Sequence, residues 1–556
     1  MARRLGGIIG VLGTVGLLAG CSDDEPTVAD SAATTGATTG ATAATADVAT
    51  TPAASSGGGF SVSISEPAAI EPALIYEVEG FHVTRLLFET LVTLDPDLEV
   101  QPGVATDWDV ADDDVTWTFH LDPDAMFSDG TAVDAADFVY AFARSADPDL
   151  AAPAGYQGLP IAGWVDVQGG EPTGSVGDVE VTGVSAVDDH TLQIVTDEPF
   201  ALLPKLLTYP VFAPVPSEMA SDADAAASFT ERPIGNGPYM MTEPWQHNTS
   251  ITVVRNAEFH GTPGRAEQID FRIYSDWLTS YRDFQAGSLD IARGIPPDEF
   301  QSAVDTYGER IIRTPTASLG YIGLPNALAP FDDLDFRMAL SLAIDRQAIA
   351  ERVLQGGSDA ATGFVPTKVP GALQEPCPGC VFDPDLAKEH LAASGVAAGT
   401  HIVLYDISDD GQDVTEFVAN SWTEILGLDV EVKSFEFAQY LEETAVDKVQ
   451  GPFELGWVWD YPSGYSILSP LFQSDSQANN LSYSNPEFDD LMAQIRLSTD
   501  DAATEALLGE AQTMAEGDLP LIPLTFVSDL GAIAEGLEGV VVDSGAMWRL
   551  ELVEPG

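Results

Sequence analysis

Positive charge is scarce in this chain. Lysine and arginine supply 22 residues against 88 aspartates and glutamates, a formal net charge of −66. Five of the basic residues are lysines: Lys205, Lys368, Lys388, Lys433 and Lys448. A surface this negative repels phosphate backbones and anionic headgroups, which argues against nucleic acid and anionic lipid as partners. It suits a salty medium, where ions screen self-repulsion. Histidines are few, seven scattered from His82 to His401 with no metal-ligand spacing, so no metal site is expected. No HExxH, GxSxG, Walker loop or glycine fingerprint on a strand-helix turn occurs, and an enzyme is therefore not expected. Acid clusters such as Asp112-Asp113-Asp114 abound, but with 88 acids they arise by chance and read as solvated surface. Long apolar runs are missing outside the N-terminus.

That N-terminus carries Arg3 and Arg4 before an apolar stretch from Leu5 to Ala19. The stretch is too short for a comfortable membrane span and reads as a signal peptide over residues 1–20. It closes on Leu18-Ala19-Gly20-Cys21, which resembles the lipobox of bacterial lipoproteins. The resemblance implies lipidation of Cys21, loss of the preceding segment and anchoring to the outer face of the cell membrane. Without Arg3 and Arg4 the net charge becomes −68, 20 basic minus 88 acidic residues. Residues 21–59 hold the cysteine and a run of Ala, Thr, Ser, Gly and Asp that cannot bury enough surface to order, a flexible tether. The other two cysteines form Cys377-Pro378-Gly379-Cys380. Such a pair can be redox-active, half a zinc site or a small disulfide; no second pair or histidine cluster accompanies it, and an extracytoplasmic compartment is oxidising, which favours the disulfide.

The remaining body of about 500 residues can form two or three domains. Strands and helices alternate in mixed order. Val115 to Leu121 alternates strictly and predicts a half-buried strand, with shorter strands at Ile251–Val253 and Asp429–Val432. Asn485-Pro486 opens a helix whose apolar stripe is Phe488, Leu491, Met492 and Ile495. Asp383-Pro384 opens another that stops at Gly395, and a third runs from Asp335 to Leu354. The class is α/β, and no repeat of fixed period is present.

Several stretches together resemble the extracytoplasmic solute-binding proteins of oligopeptide, dipeptide and nickel ABC importers (family 5). Phe127-Ser128-Asp129-Gly130 through Phe138 is similar to the family's turn-helix segment, with Asp134 as N-cap. Gly235-Asn236-Gly237-Pro238-Tyr239, Arg255 to Phe259, Gly287 to Ile291, Pro330 to Leu340 with Ala343 to Arg346, and Tyr483 to Asp489 follow in the family's order. The resemblance implies a two-lobed periplasmic-binding-protein-like fold with an extra subdomain on the N-terminal lobe. Lobe one would comprise residues 60–96, 231–312 and 527–556, its inserted subdomain 97–230, and lobe two 313–526. It also implies a non-catalytic, monomeric receptor without cofactors that delivers a peptide or other small solute to membrane permease subunits.

The site is expected around Trp457-Val458-Trp459-Asp460-Tyr461-Pro462-Ser463-Gly464. Here the family's peptide binders carry W-x-x-D, matched by Trp457 and Asp460, and the resemblance implies that Asp460 holds a ligand's α-amino group. A carboxylate in a water-poor cleft bonds strongly to an ammonium, and Trp457, Trp459 and Tyr461 offer ring faces to the cation. The alternative is that Asp460 caps a turn and the rings are core. A second wall is expected at Gly80, Phe81 and His82, and Tyr321 either lines the cleft or is buried. Arg337 is expected to pair with Asp333 or another local acid. The reading is a peptide receptor whose negative field favours neutral or cationic peptides. The same fold could carry an oligosaccharide or a nickel chelate. The rival from another class is a secreted hydrolase using two carboxylates.

Overall fold

The structure, a computed structural model, describes residues 58–221, 228–407, 412–435, 439–440, 443–445, 448–476, 478–498 and 500–556. The signal peptide, Cys21 and nearly all of the tether lie outside the described residues. No helix among the described residues is long and apolar enough to cross a membrane.

Local sequence signals set many of the elements. The alternation after Val115 becomes the strand Thr116–Leu121, buried at Trp117, Phe119 and Leu121. Asp134 caps the helix Ala135–Ala146 in a reciprocal capping box with Asp137. Asn485 caps Pro486–Leu497, whose buried residues are Phe488, Leu491, Met492 and Ile495. Pro384–Ser394 ends on Gly395 at φ 73°, a left-handed position that glycine takes without a Cβ clash. Cys377 and Cys380 are joined in a disulfide. The third expected helix is broken: Leu334–Leu342 stops, Asp345 caps a new turn at Ala348, and a wide π turn follows over Ile349–Val353. Asp345 supplies a local acceptor that competes with helix continuation. Arg337 also departs from expectation. Its guanidinium donates to the carbonyls of Phe331, Asp518 and Leu519, while Asp333 accepts from Phe336 as the helix cap.

One 11-stranded sheet runs through the molecule. Its centre is a pair of 13-residue antiparallel strands, Ile311–Gly323 and Leu521–Ile533. At one end these pair around Ile311–Pro315 and continue outward through Ile291–Arg293, Gly59–Ile64 and Gln268–Ile273. At the other end Ser318–Gly323 pairs with Phe453–Val458, beyond which lie His401–Ile407 and Asp429–Phe435. Register slips between Pro315 and Leu319, so the two strands bend where they pass from one lobe to the other. The two lobes have separate cores. One gathers Phe60, Val62, Phe271 and Ile291, the other Ile322, Phe336, Leu340 and Trp422. A separate four-stranded antiparallel sheet, Ala105–Val110, Thr116–Leu121, Thr191–Val195 and Val184–Asp188, forms the inserted layer. Its apolar cluster is continuous with Trp457, Trp459 and Tyr461. That continuity sets the aromatic stretch against the inserted layer.

Candidate functional site

The lobes enclose a cleft of about 2010 Å³. Its walls come from the helix Val78–Leu87, the loops at Tyr156 and Tyr209, the stretch Trp457–Pro462 and the C-terminal turn near Asp543. On the lobe-two side, the strand Phe453–Val458 alternates so that Phe453, Leu455 and Trp457 are buried. Trp457 donates its indole N–H to the Ser466 carbonyl at 3.1 Å, which fixes the ring. The chain then leaves the sheet, and Ser466 Oγ donates to the Tyr461 and Ser463 carbonyls to hold the turn.

Asp460 stands on that turn. Its Oδ1 accepts a hydrogen bond from the Tyr156 hydroxyl at 3.1 Å, and the polar side chain of Gln157 helps to favour the charged carboxylate. Among the described residues no lysine, arginine or histidine pairs with it. Burial pushes its pKa up to about 6, opposed by the Tyr156 hydroxyl and the Gln157 side chain. Desolvation, with the Asp460 charge second, holds the Tyr156 and Tyr209 hydroxyls well above their ordinary range. Tyr209 in turn packs edge-on against Phe81, with centroids 4.8 Å apart at 86°.

The opposite wall begins with Glu77, which caps the first helix by accepting from the backbone of Ala68, Glu79 and Gly80. Burial and the neighbouring Glu79 raise Glu77 to about 7 against those three bonds. Glu79 also lines the cleft but is held in a fork by Arg293, at 2.6 and 3.3 Å. Val78, Phe81, Arg85 and Phe88 recur at three- and four-residue spacing and form one cleft-facing stripe.

Of the residues singled out in the sequence, Phe81, Trp457, Trp459, Asp460 and Tyr461 line the cleft. Gly80, His82 and Tyr321 are placed behind it. Gly80 packs on Ala69, where an added Cβ would come within 2.5 Å of the carbonyl oxygen. His82, 3% exposed, lies about a third of a turn from Phe81 and points inward. Its Nδ1 donates to the Val78 carbonyl at 2.6 Å and its Nε2 accepts the Trp548 N–H. That pattern requires a neutral ring, and burial holds its pKa well below the ordinary value. Tyr321, 2% exposed, sits in the strand pair at the middle of the sheet, and burial raises its pKa. Tyr156, Tyr209 and Arg85 are cleft residues the sequence did not point to. Tyr156 reaches Asp460 across 304 positions, and no local pattern encodes such a pairing.

Strand pairing also gathers Asp107, Asp109 and His120, with ligand atoms within 4.8 Å of one another. The alignment of neighbouring strands makes this cluster, so linear spacing does not show it. All three side chains are largely solvent-accessible, and none lines the cleft.

The family model described as bacterial extracellular solute-binding proteins, family 5 middle, matches residues 99–479. The periplasmic oligopeptide-binding protein OppA of Escherichia coli (strain K12) is 31% identical over 476 residues, covering 83% of this chain and 86% of OppA. The unliganded open form of the murein tripeptide binding protein MppA superposes with a TM-score of 0.76 at 26% identity, over 90% of this chain and 98% of MppA. Haemophilus influenzae OppA in complex with RPPGFSPFR superposes at 0.73 with 25% identity, over 90% and 99% of the two chains.

Proposed function

The chain belongs to family 5 of the bacterial extracellular solute-binding proteins, and from that membership we propose that it captures peptides in the inter-lobe cleft as the binding component of an ABC importer. The observation that carries the reading is Asp460. It is a carboxylate in the cleft without a basic partner among the described residues, bonded by Tyr156 and flanked by Trp457, Trp459 and Tyr461. Such a group is matched by a peptide's α-ammonium, which supplies the missing charge and up to three donors. The aromatic walls lower the local dielectric and present ring faces to that cation. A cleft of this volume admits several residues of extended chain, and the names of OppA and MppA agree with peptide as the ligand class.

The protein acts by binding rather than by turnover. Lobe one (60–96, 231–312 and 527–556, with 97–230 inserted) closes on lobe two (313–526) about the paired central strands, and the closed form docks on the permease. Lipidation of Cys21 holds the monomeric body outside the membrane on its tether. Selective labelling of the full chain with radioactive fatty acid, lost in Cys21→Ser, tests the anchor.

The function is tested by thermal unfolding of residues 58–556 with a mixed tri- to pentapeptide pool and its N-acetylated counterpart. Free peptides at a hundred times their Kd should stabilise by about 2.7 kcal/mol, and acetylation should abolish the shift. Equal shifts from both pools would remove the ammonium anchor. No shift from either would remove peptide as the ligand and leave the aromatic wall for an uncharged solute.

A further inference from the structure

Among the described residues two ionic links join the inserted layer to lobe one, and they differ in kind. In the helix Ala135–Ala146, which packs on the layer, Arg144 donates Nη2 to Glu71 Oε1 at 2.9 Å, with both side chains buried. A guanidinium stays charged at any ordinary pH, so this link is permanent. The other link is a histidine. His260 lies on the loop between the strands Ser250–Arg255 and Gln268–Ile273. It reaches Glu89, just past the first helix, and Asp122, at the end of the layer's strand Thr116–Leu121. Its Nε2 is 2.6 Å from Glu89 Oε2 and its Nδ1 3.1 Å from Asp122 Oδ2. The imidazole is 8% exposed and the two acids are mostly buried. Phe259 meets the ring edge-on, with centroids 5.3 Å apart. Among the described residues no further charged side chain pairs with the three.

This arrangement requires a doubly protonated ring. A carboxylate only accepts and a neutral imidazole has one N–H, so without the second proton a bare ring nitrogen would face a carboxylate oxygen at hydrogen-bond distance. The two acids would also lose the one cation they share. His120, within the layer, is different: both its acids, Asp107 and Asp109, sit beside the same nitrogen at 3.8 and 3.4 Å, and no second proton is needed. At His260 the bond to Glu89 outweighs burial and holds the pKa above its ordinary value.

We propose that His260 is a proton-operated latch, which as an imidazolium ties the inserted layer to lobe one and on losing its proton frees the layer to shift. The layer also carries Tyr156, the donor to Asp460, and Glu198, the partner of Arg496 on lobe two. Loosening its hold on lobe one therefore loosens a wall of the cleft, whichever solute the cleft takes. Arg144 keeps the layer attached when the latch opens. Because the folded pKa lies above the ordinary 6.5, the latch contributes fully below pH 6.5 and is lost as pH rises through the folded value.

Amide hydrogen exchange of the full chain, read by mass spectrometry over Thr116–Leu121 and Thr191–Val195, tests the latch. After correction for the pH dependence of free amides, exchange in the wild type should quicken about tenfold between pH 6 and pH 9, as expected for losing one charge-assisted contact. In His260→Gln the two strands should exchange at the faster rate already at pH 6, with no further change to pH 9. Protection of the layer that stays constant over this range in the wild type, or an equal loss of protection with pH in the variant, overturns the proposal. Should His260→Gln fail to fold, slow deuterium exchange at the imidazole Cε1 of the wild type follows the titration of His260 itself. A midpoint above 6.5 that coincides with the loss of protection in the layer supports the latch. A midpoint at or below 6.5, or one unconnected with that loss, overturns it.

Discussion

Two carboxylates line the cleft, one from each lobe, and are treated in opposite ways. Glu79 on lobe one is clasped by Arg293 through two bonds, with both side chains mostly buried. Asp460 on lobe two receives, among the described residues, only a neutral donor, the Tyr156 hydroxyl. Burial costs both acids hydration, but Arg293 compensates Glu79 and, among the described residues, no cation pairs with Asp460. The difference teaches that a binding carboxylate is recognised by the partner it lacks. In a protein with 88 acids, acidity or position in a cleft does not single one out.

The strongest way to break the comparison is to remove the clasp. Arg293→Met leaves Glu79 buried without its counter-charge and takes a cation away from Asp529, whose burial already raises it to about 6. We expect a loss of about 3–5 kcal/mol of stability in denaturant unfolding. Next is the acid on the other side. Asp460→Asn should weaken binding of free peptides by about thirtyfold, the worth of one charge-assisted contact of roughly 2 kcal/mol, with N-acetylated peptides unaffected in calorimetry.

The same substitution should have the opposite effect on the empty protein. Asp460 has a folded pKa of about 6 against an ordinary 3.8, so its contribution favours the folded state below pH 3.8 and is lost as pH rises through 6. Asp460→Asn should therefore be more stable than the wild type above pH 6, by on the order of 1–2 kcal/mol, and indistinguishable near pH 3.5, as read from melting curves. The smallest effect is expected from Tyr156→Phe. It removes one donor to the ionised form of Asp460, so the midpoint of the binding pH profile should move upward by about half a unit.

Which of these features could be read from the sequence follows from their range. WVWDYPSG is a local string, and its aromatic stretch, turn and acid come from neighbours along the chain. Helix caps such as Asp134, Asp383 and Asn485 are equally local. The order of family-like motifs pointed to the two-lobed fold without revealing that one pair of long strands joins the lobes within a single sheet. His82 and Tyr321 show what local reading lacks. The segment carrying Phe81 was identified, but which of Gly80, Phe81 and His82 faces the cleft depends on helix phase against the packed core. Tyr321 was placed on the right strand without the neighbours that cover it on both edges. The Glu79–Arg293 and Tyr156–Asp460 pairs span 214 and 304 positions. Pairings that distant leave no trace in spacing, and with so many acids charge offers no guide. Arg337 failed for a related reason: carbonyls near Asp518, brought in by the fold, displaced the local acid as its partner.

The central claim is that an uncompensated Asp460 receives a peptide ammonium, and the pH dependence of affinity tests it most directly. Calorimetric titration of the free peptide pool from pH 4.5 to 7, where the peptide's α-amino group stays protonated, should show affinity rising through a midpoint near 6 and levelling above it, with the rise absent in Asp460→Asn. Affinity that is flat across this range in the wild type, or a rise that persists unchanged in the variant, would contradict the account.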